Sequence, residues 1–316
     1  MSEIAPVFIG IDTSNYTTSL AVADIDGRVI ANIKRLLPVA AGERGLRQSD
    51  AVFAHVKNLP ELLTRLGEAV DGKTVVAVGC STSPRDAEDS YMPCFLVGEG
   101  AARTVGLTHD VPVYTFSHQQ GHIAAALFSA GKTELVNERF YAFHVSGGTT
   151  DLVLCEPDEK EIIKITPVAS SSDLKAGQAV DRIGVKMGLS FPAGAGVEEL
   201  ASHSEKVFKN KIKLKDGFCS LSGLENKCLK MIDEGNSRED VAMFLLTYIA
   251  DAVIAMTKDA FSKNGVLPVV YAGGVMSDKI IKDRISAEYE CFFAEPQYSC
   301  DNAAGVAYLA YLSHKR

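Results

Sequence analysis

The sequence predicts an α/β protein of two lobes, each built on a mixed sheet. Strand-like and helix-like segments alternate along nearly all of the 316 residues, the order from which layered α/β folds are made. Two segments, PVFIGIDTSNYTTSLAVAD (6–24) and FYAFHVSGGTTDLVLCEPD (140–158), repeat one design of strand, small polar turn and strand, the mark of a duplicated domain. The length suits one large or two ordinary domains, and 47% apolar content supplies real cores.

Each element follows from local pattern. The two repeats read as β-hairpins whose Ser, Thr, Gly and Asn tips bend tightly and offer hydroxyls and N–H groups to an anion. In the first half, residues 51–70 read helical, 74–81 strand, 99–109 helical and 111–116 strand. In the second, 172–188 and 239–261 read helical, 267–275 a buried strand ending in paired glycines before a helix near Ser277, and 299–316 a terminal helix. Glycine after that strand lets a flat base or ribose lie against the backbone, or serves as a packing turn. The best linker lies near residue 130, in SAGKTELVNER.

A net charge of -8 and a pI near 5.4 exclude gripping nucleic acid by bulk charge alone. KVFKNKIKLK (206–215) is a local Lys-rich run, read first as a solvated face. The seven scattered cysteines include no CxxC pair, so neither a disulfide framework nor a zinc knuckle is expected, and the pattern fits a reducing cytoplasm. No basic leader and no uninterrupted apolar run long enough to span a bilayer is evident, so a soluble protein without membrane association is expected.

His118 and His122 are spaced four apart behind Ser117, an N-cap followed three residues on by Gln120. Imidazoles at i and i+4 leave one helical face and can converge on one ion. Capping and solvent would satisfy the pair equally well.

Taken in order, these motifs resemble the tRNA threonylcarbamoyladenosine synthase transferase subunit family, formerly described as O-sialoglycoprotein endopeptidases or glycoproteases. The resemblance spans IDTS, AHVKNLP with His55, HQQGH at 118–122, VSGGTT, GQAVDRIG, FPAGAG (191–196), LSGLENK (221–227), YAGGV (271–275) and CDNAAGVAY. It implies an actin-like, sugar-kinase-like fold, with a first lobe of residues 1–130 completed by helix 300–316 and a second of 131–299. It implies one transition metal, iron or zinc, on His118, His122 and Asp301, with His144 as a further ligand where archaeal and eukaryotic relatives have Tyr. It also implies ATP or an acyl-adenylate with phosphates near Ser146, Gly147, Gly148 and Thr149. Asp181 would take the ribose, so that its replacement weakens nucleotide binding and spares stability. Gly194 would lie near the sugar or base, and Gly274 with Asp278 would line the adenine pocket. The family reaction moves a threonylcarbamoyl group from its adenylate to a tRNA adenosine, with other subunits of the modification machinery as partners.

Departures from the family pattern qualify this. Relatives carry an acidic pair after the first turn serine, where this chain has Asn15 and Tyr16, leaving Ser14 and Asn15 as the candidate catalytic positions. SPRDAEDSYMPC (83–94) replaces a glycine-rich segment, so Arg85, Asp86 or Glu88 are substitutes or parts of a plain surface loop. Thr149, Gln178 and Asp278 replace the usual His or Asn, Glu and Asn. The expectation is a divergent paralogue: a metal-dependent threonylcarbamoyl- or carbamoyl-transferase, or alternatively a catalytically impaired nucleotide- and metal-binding regulatory or scaffold subunit. A metallopeptidase is disfavoured, since Gly121 precedes His122 and HExxH is absent.

Overall fold

A continuous apolar run from Pro6, buried on both faces, produces β1 (Pro6–Ser14), which turns back into β2 (Thr17–Ala23) with Ser14 opposite Thr17 and Ile11 opposite Leu20. The computed structural model describes residues 5–14, 16–38, 46–87, 90–298 and 303–316. They fall into two units. The first takes the chain up to Val136, Pro157–Lys164 and the C-terminal helix; the second takes Asn137–Glu156 and Ile165–Ser299.

In the first unit, β3 (Val29–Leu36), β4 (Thr74–Ser83) and β5 (Val113–Ser117) complete a five-stranded sheet of order β3-β2-β1-β4-β5. The hairpin side is antiparallel, whereas β1, β4 and β5 run parallel. Val7, Ile9 and Ile11 of β1 join one core with Leu59, Leu62 and Leu66 of α1 (Gln48–Val70), which recur at helical spacing. Full burial of one such leucine contributes about 1.5–3 kcal/mol. The other face of β1 carries Gly10, where a Cβ would stand 2.1 Å from Ala303 O. Only glycine lets the C-terminal helix (Ala303–Lys315) lie that close to the strand. Parity along β1 therefore puts Asp12 on the face of that helix and Thr13 on the opposite one.

The helix α2 (Phe95–His109) begins four residues earlier than the sequence pattern indicates. Cys94 and Phe95 are buried with Leu37 and Ala51, and Cys94 O accepts from Thr13 Oγ1 at 2.9 Å. Tertiary packing sets that boundary. Next comes α3 (His118–Ser129), directly after β5.

In the second unit, β6 (Phe140–Val145), β7 (Thr150–Asp158), β8 (Ile162–Ser170), β9 (Val269–Ala272) and β10 (Phe292–Phe293) form a sheet of order β10-β9-β6-β7-β8. The β6–β7 hairpin is antiparallel and β9 runs parallel to β6, with His144 opposite Ala272. Around it stand α4 (Ala176–Lys186), α5 (Gly194–Ser202), α6 (Ser222–Asp233), α7 (Arg238–Asn264) and α8 (Lys279–Ser286). The first of these starts later than 172 because the Asp173 carboxylate holds Leu174 N, Leu221 N and Ser222 N at 2.7, 2.8 and 3.3 Å.

By length and composition α7 is apolar enough to cross a membrane, yet most of that apolar stretch is buried inside the protein. Leu245, Leu246, Ile249, Val253 and Met256 belong to one core with Tyr141 and Tyr271. Burial of most of its circumference explains so apolar a helix, and its remaining face carries Asp251, Lys258 and Asp259.

Candidate functional site

The capping box expected at Ser117 is formed. Ser117 Oγ accepts from Gln120 N at 3.2 Å, and Gln120 Oε1 accepts from Ser117 N at 2.7 Å. The same glutamine donates through Nε2 to Glu161 O and Ile163 O at 3.2 and 3.1 Å. The first turn of α3 is thus fixed from two sides. On it the His118 and His122 rings lie 4.7 Å apart, centroid to centroid.

Behind His118 stands a residue that sequence reasoning did not assign. Asp12, 1% exposed, bonds His118 Nδ1 through Oδ1 at 3.0 Å and accepts from Ser81 Oγ on the same oxygen. Burial pushes its carboxyl up, but the charge and bond of His118 and the Ser81 hydroxyl hold it below the usual carboxylate value. An ionised carboxylate only accepts, so His118 Nδ1 carries a proton and the ring is held in one orientation. The other oxygen, Oδ2, is buried without a hydrogen-bond partner among the described residues. The available signal was a lone Asp inside the apolar strand FIGID.

Two imidazoles, one of them held in place by a carboxylate, and an orphaned buried carboxylate oxygen are donors that suit iron or zinc. Among the described residues no three His, Cys, Asp or Glu gather as a complete metal-binding group. Asp301, the third expected ligand, lies outside the described residues. His144 belongs to the second unit, on β6 opposite Asp151 of β7.

The first hairpin is braced from below. His55 is fully buried, with Nε2 2.8 Å from Ser14 O and Nδ1 2.8 Å from Thr18 Oγ1, which also accepts from Asn58 Nδ2 at 3.1 Å. A carbonyl can only accept, so Nε2 carries the proton and Thr18 donates to Nδ1. Burial lowers the His55 pKa, in keeping with a neutral ring. Ser14 is thereby held by its carbonyl; Asn15 lies outside the described residues.

The second hairpin is built differently. Ser146 N donates to Thr149 O at 2.8 Å, and Gly148 N to Ser146 Oγ at 3.3 Å. Gly147 and Gly148 are exposed, and a Cβ on either would meet nothing within 4 Å. Their backing is Gly177, whose Cβ would fall 2.7 Å from Gly147 Cα and Ser146 O. Thr150 Oγ1 caps α4 by accepting from Ala176 N at 2.9 Å. Gln178 caps the same helix, its Oε1 accepting from Lys175 N at 3.3 Å.

Beyond that loop, Asp181 Oδ1 accepts from Ala193 N at 2.8 Å, just before Gly194 opens α5. One carboxylate oxygen is therefore structural, and the expectation that replacing Asp181 spares stability must be corrected. Gly273 has φ +101 and sits where a Cβ would strike Val145 O at 2.2 Å. By contrast Gly274 has nothing within 4 Å, leaving space beyond the ends of β6 and β9. Asp278 is a helix cap, with Oδ1 2.9 Å from Ile281 N. Burial above all, with the charge of Glu198 adding to it, raises its pKa to about 6. Glu198 itself accepts from Lys279 N at 2.8 Å.

In the segment expected to substitute for the missing acidic pair, Pro84 O accepts from Gln119 N at 3.1 Å, beside His118. Arg85 N donates to Ser90 Oγ at 2.9 Å, and Glu88 lies outside the described residues. Burial pushes the thiols of Cys80 and Cys228 up to about 12, and those of Cys94 and Cys219 to about 11, which makes these four poor nucleophiles.

Comparison with known proteins extends this picture. The family model for tRNA N6-adenosine threonylcarbamoyltransferase matches residues 91–308. A protein of that name from Thermus thermophilus is 30% identical over 321 aligned residues, covering 98% of this chain and 93% of its own length. One from Methanopyrus kandleri is 26% identical, covering 98% and 88%. Among solved structures, component A of (R)-2-hydroxyglutaryl-CoA dehydratase from Acidaminococcus fermentans superposes with a TM-score of 0.55 at 13% identity, covering 99% of this chain and 100% of that one. A ROK family glucokinase from Streptomyces griseus gives 0.54 at 15%, covering 98% and 100%. The fold is of the actin-like, sugar-kinase-like class, with two mixed sheets of five strands.

Proposed function

The chain belongs to the tRNA N6-adenosine threonylcarbamoyltransferase family, and on that premise we propose that it transfers a threonylcarbamoyl group from an acyl-adenylate to a tRNA adenosine. In this reaction the bond between the carbamoyl carbon and the adenylate phosphate oxygen breaks. A bond from the adenosine N6 to that carbon forms, AMP leaves, and N6 gives up a proton. The observation that carries the reading is likeness to enzymes of this activity along nearly the whole chain.

The residues divide the work by their chemistry. His118 and His122, with Asp301 and with His144 as a further ligand, would hold iron or zinc; such an ion polarises a carbonyl or phosphoryl oxygen. Asp12 orients the His118 ring by holding its Nδ1. The turn at Ser146, Gly147, Gly148 and Thr149 would receive the phosphate on backbone N–H groups. The remaining oxygen of Asp181 would take the ribose, and the open space at Gly274 the base.

No carboxylate follows Ser14 in the hairpin tip, and loss of a positioned acid or base costs roughly 10²–10⁴-fold in rate. Transfer is therefore expected to be slow. The test supplies purified protein with threonylcarbamoyl-adenylate and unmodified tRNA and measures modified adenosine by mass spectrometry. Product that disappears in His122→Ala together with the metal supports the reading. A folded protein that binds nucleotide and metal yet forms no product, even with the remaining subunits added, would return it to the regulatory or scaffold alternative.

A further inference from the structure

Residues 204–214 carry no regular secondary structure, yet their burial alternates. Phe208, Asn210, Ile212 and Leu214 are half-buried, while Lys209, Lys211, Lys213 and Lys215 are exposed. A period of two belongs to an extended chain, in which lysines two residues apart stand about 6.4–6.8 Å from one another.

The inner side of this strap is fastened to the second unit. The Phe208 ring meets Phe244 edge-on at 5.3 Å. Asn210 donates through both N and Nδ2 to Asp251 Oδ2 at 3.1 Å. Arg284 clamps Asp251 at 2.6 and 2.9 Å and reaches Phe208 O at 3.0 Å. Ile212 and Leu214 pack on the core, and Lys215 pairs with Phe218 across a turn through two 2.9 Å backbone bonds.

The outer side is unpaired. Lys206, Lys263 and Lys279 have carboxylate partners, Asp240, Asp259 and Asp283. Among the described residues Lys209, Lys211, Lys213 and Lys215 have none. Along the sequence the run is flanked by Glu205 and Asp216 at its two ends, and the carboxylates packed against it in space, Asp240 and Asp251, are engaged by Lys206 and Arg284. Four like charges held in register on an immobilised backbone repel one another unless a regularly spaced anion lies along them. A nucleic-acid strand spaces its phosphates comparably, and a chain of net charge -8 needs such a local row to hold it.

We propose that Lys209, Lys211, Lys213 and Lys215 are the docking row for the sugar–phosphate backbone of the tRNA, a surface that rests on the transferase reading above. Lysine is a point charge, so the row positions the strand without reading bases.

The test is binding of an unmodified tRNA transcript to the full-length protein across 50–200 mM salt. Replacing all four lysines by glutamine should make the slope of log affinity against log salt shallower by about 3–4, since each phosphate-contacting lysine carries about one. A control variant with Lys57, Lys160, Lys186 and Lys230 changed to glutamine undergoes the same change in net charge and should keep the wild-type slope. Matching thermal midpoints confirm that both variants fold. A wild-type slope in the docking-row variant, or equal losses in both variants, would overturn this inference while leaving the transferase reading intact. Retained tRNA binding with loss of binding to phosphatidylserine vesicles or to polyglutamate would overturn it in favour of a membrane or an acidic protein. A wild-type protein that transfers nothing and binds no tRNA at any salt would bring down both.

Discussion

The two hairpins are repeats of one design, yet they are supported in opposite ways. Beneath the first tip, side chains far apart in sequence meet: His55 holds Ser14 O and Thr18, Asp12 holds His118 and Ser81, and Thr13 Oγ1 holds Cys94 O and accepts from Gly98 N at 3.0 Å. The second tip has exposed glycines and is backed by the main chain of α4 at Gly177. The first hairpin orients side chains, which requires buried, directional polar contacts. The second presents main-chain groups, which requires the absence of side chains and a firm floor. Duplicated architecture has left each copy with a different physical task.

That contrast can be broken most forcefully at His55. His55→Leu orphans Ser14 O and Thr18 Oγ1 and disturbs Asn58 Nδ2, and should cost about 3–5 kcal/mol in urea unfolding. The neutral ring adds a pH signature. Its folded pKa lies below the ordinary 6.5, so the unfolded chain takes up the proton first, and the stability His55 contributes is lost as pH falls below about 6.5. His55→Leu should remove that part of the acid dependence; an unchanged profile would deny His55 its place in the brace.

In the second unit the sign is opposite. Asp278 has its pKa raised to about 6 from 3.8, so the folded state holds the proton more tightly, and its contribution worsens as pH rises from about 4 to about 6. Asp278→Asn keeps an acceptor for Ile281 N and should stabilise the protein above pH 6 by at most about 3 kcal/mol, with little effect near pH 4. Equal stability of the two proteins at pH 7 would show that the ionised carboxylate is better solvated than its burial indicates.

A smaller change is expected from Asp12→Ala, which should weaken metal retention by about 10–100-fold in a chelator titration. Unchanged retention would mean that the His118 ring is held in place by another group. Smallest of all, Gly147→Ala should alter unfolding free energy by no more than about 0.5 kcal/mol, because its Cβ enters open space. A large loss there would erase the distinction between the two tips.

Local physics alone determined several features of this protein. Apolar runs broken by small polar tips in 6–24 and 140–158 produced both hairpins, and Ser117 with Gln120 placed the start of α3 and hence the shared face of His118 and His122. Such features rest on periodicity and on bonds between residues three or four apart, which a sequence displays directly. Tertiary structure alone decided the rest. It brought Asp12 to His118 across 106 positions and Thr18 to His55 across 37. The early start of α2 and the late start of α4 were settled by Thr13 and Asp173, which compete for backbone groups from outside the helix. The Lys-rich run looked like a solvated face because its composition shows charge but not anchorage. Only Phe244, Asp251 and Arg284, residues distant in the chain, turn it into an ordered row. A buried polar group must find a partner wherever the fold supplies one, and nothing in the chain's local order says where that will be.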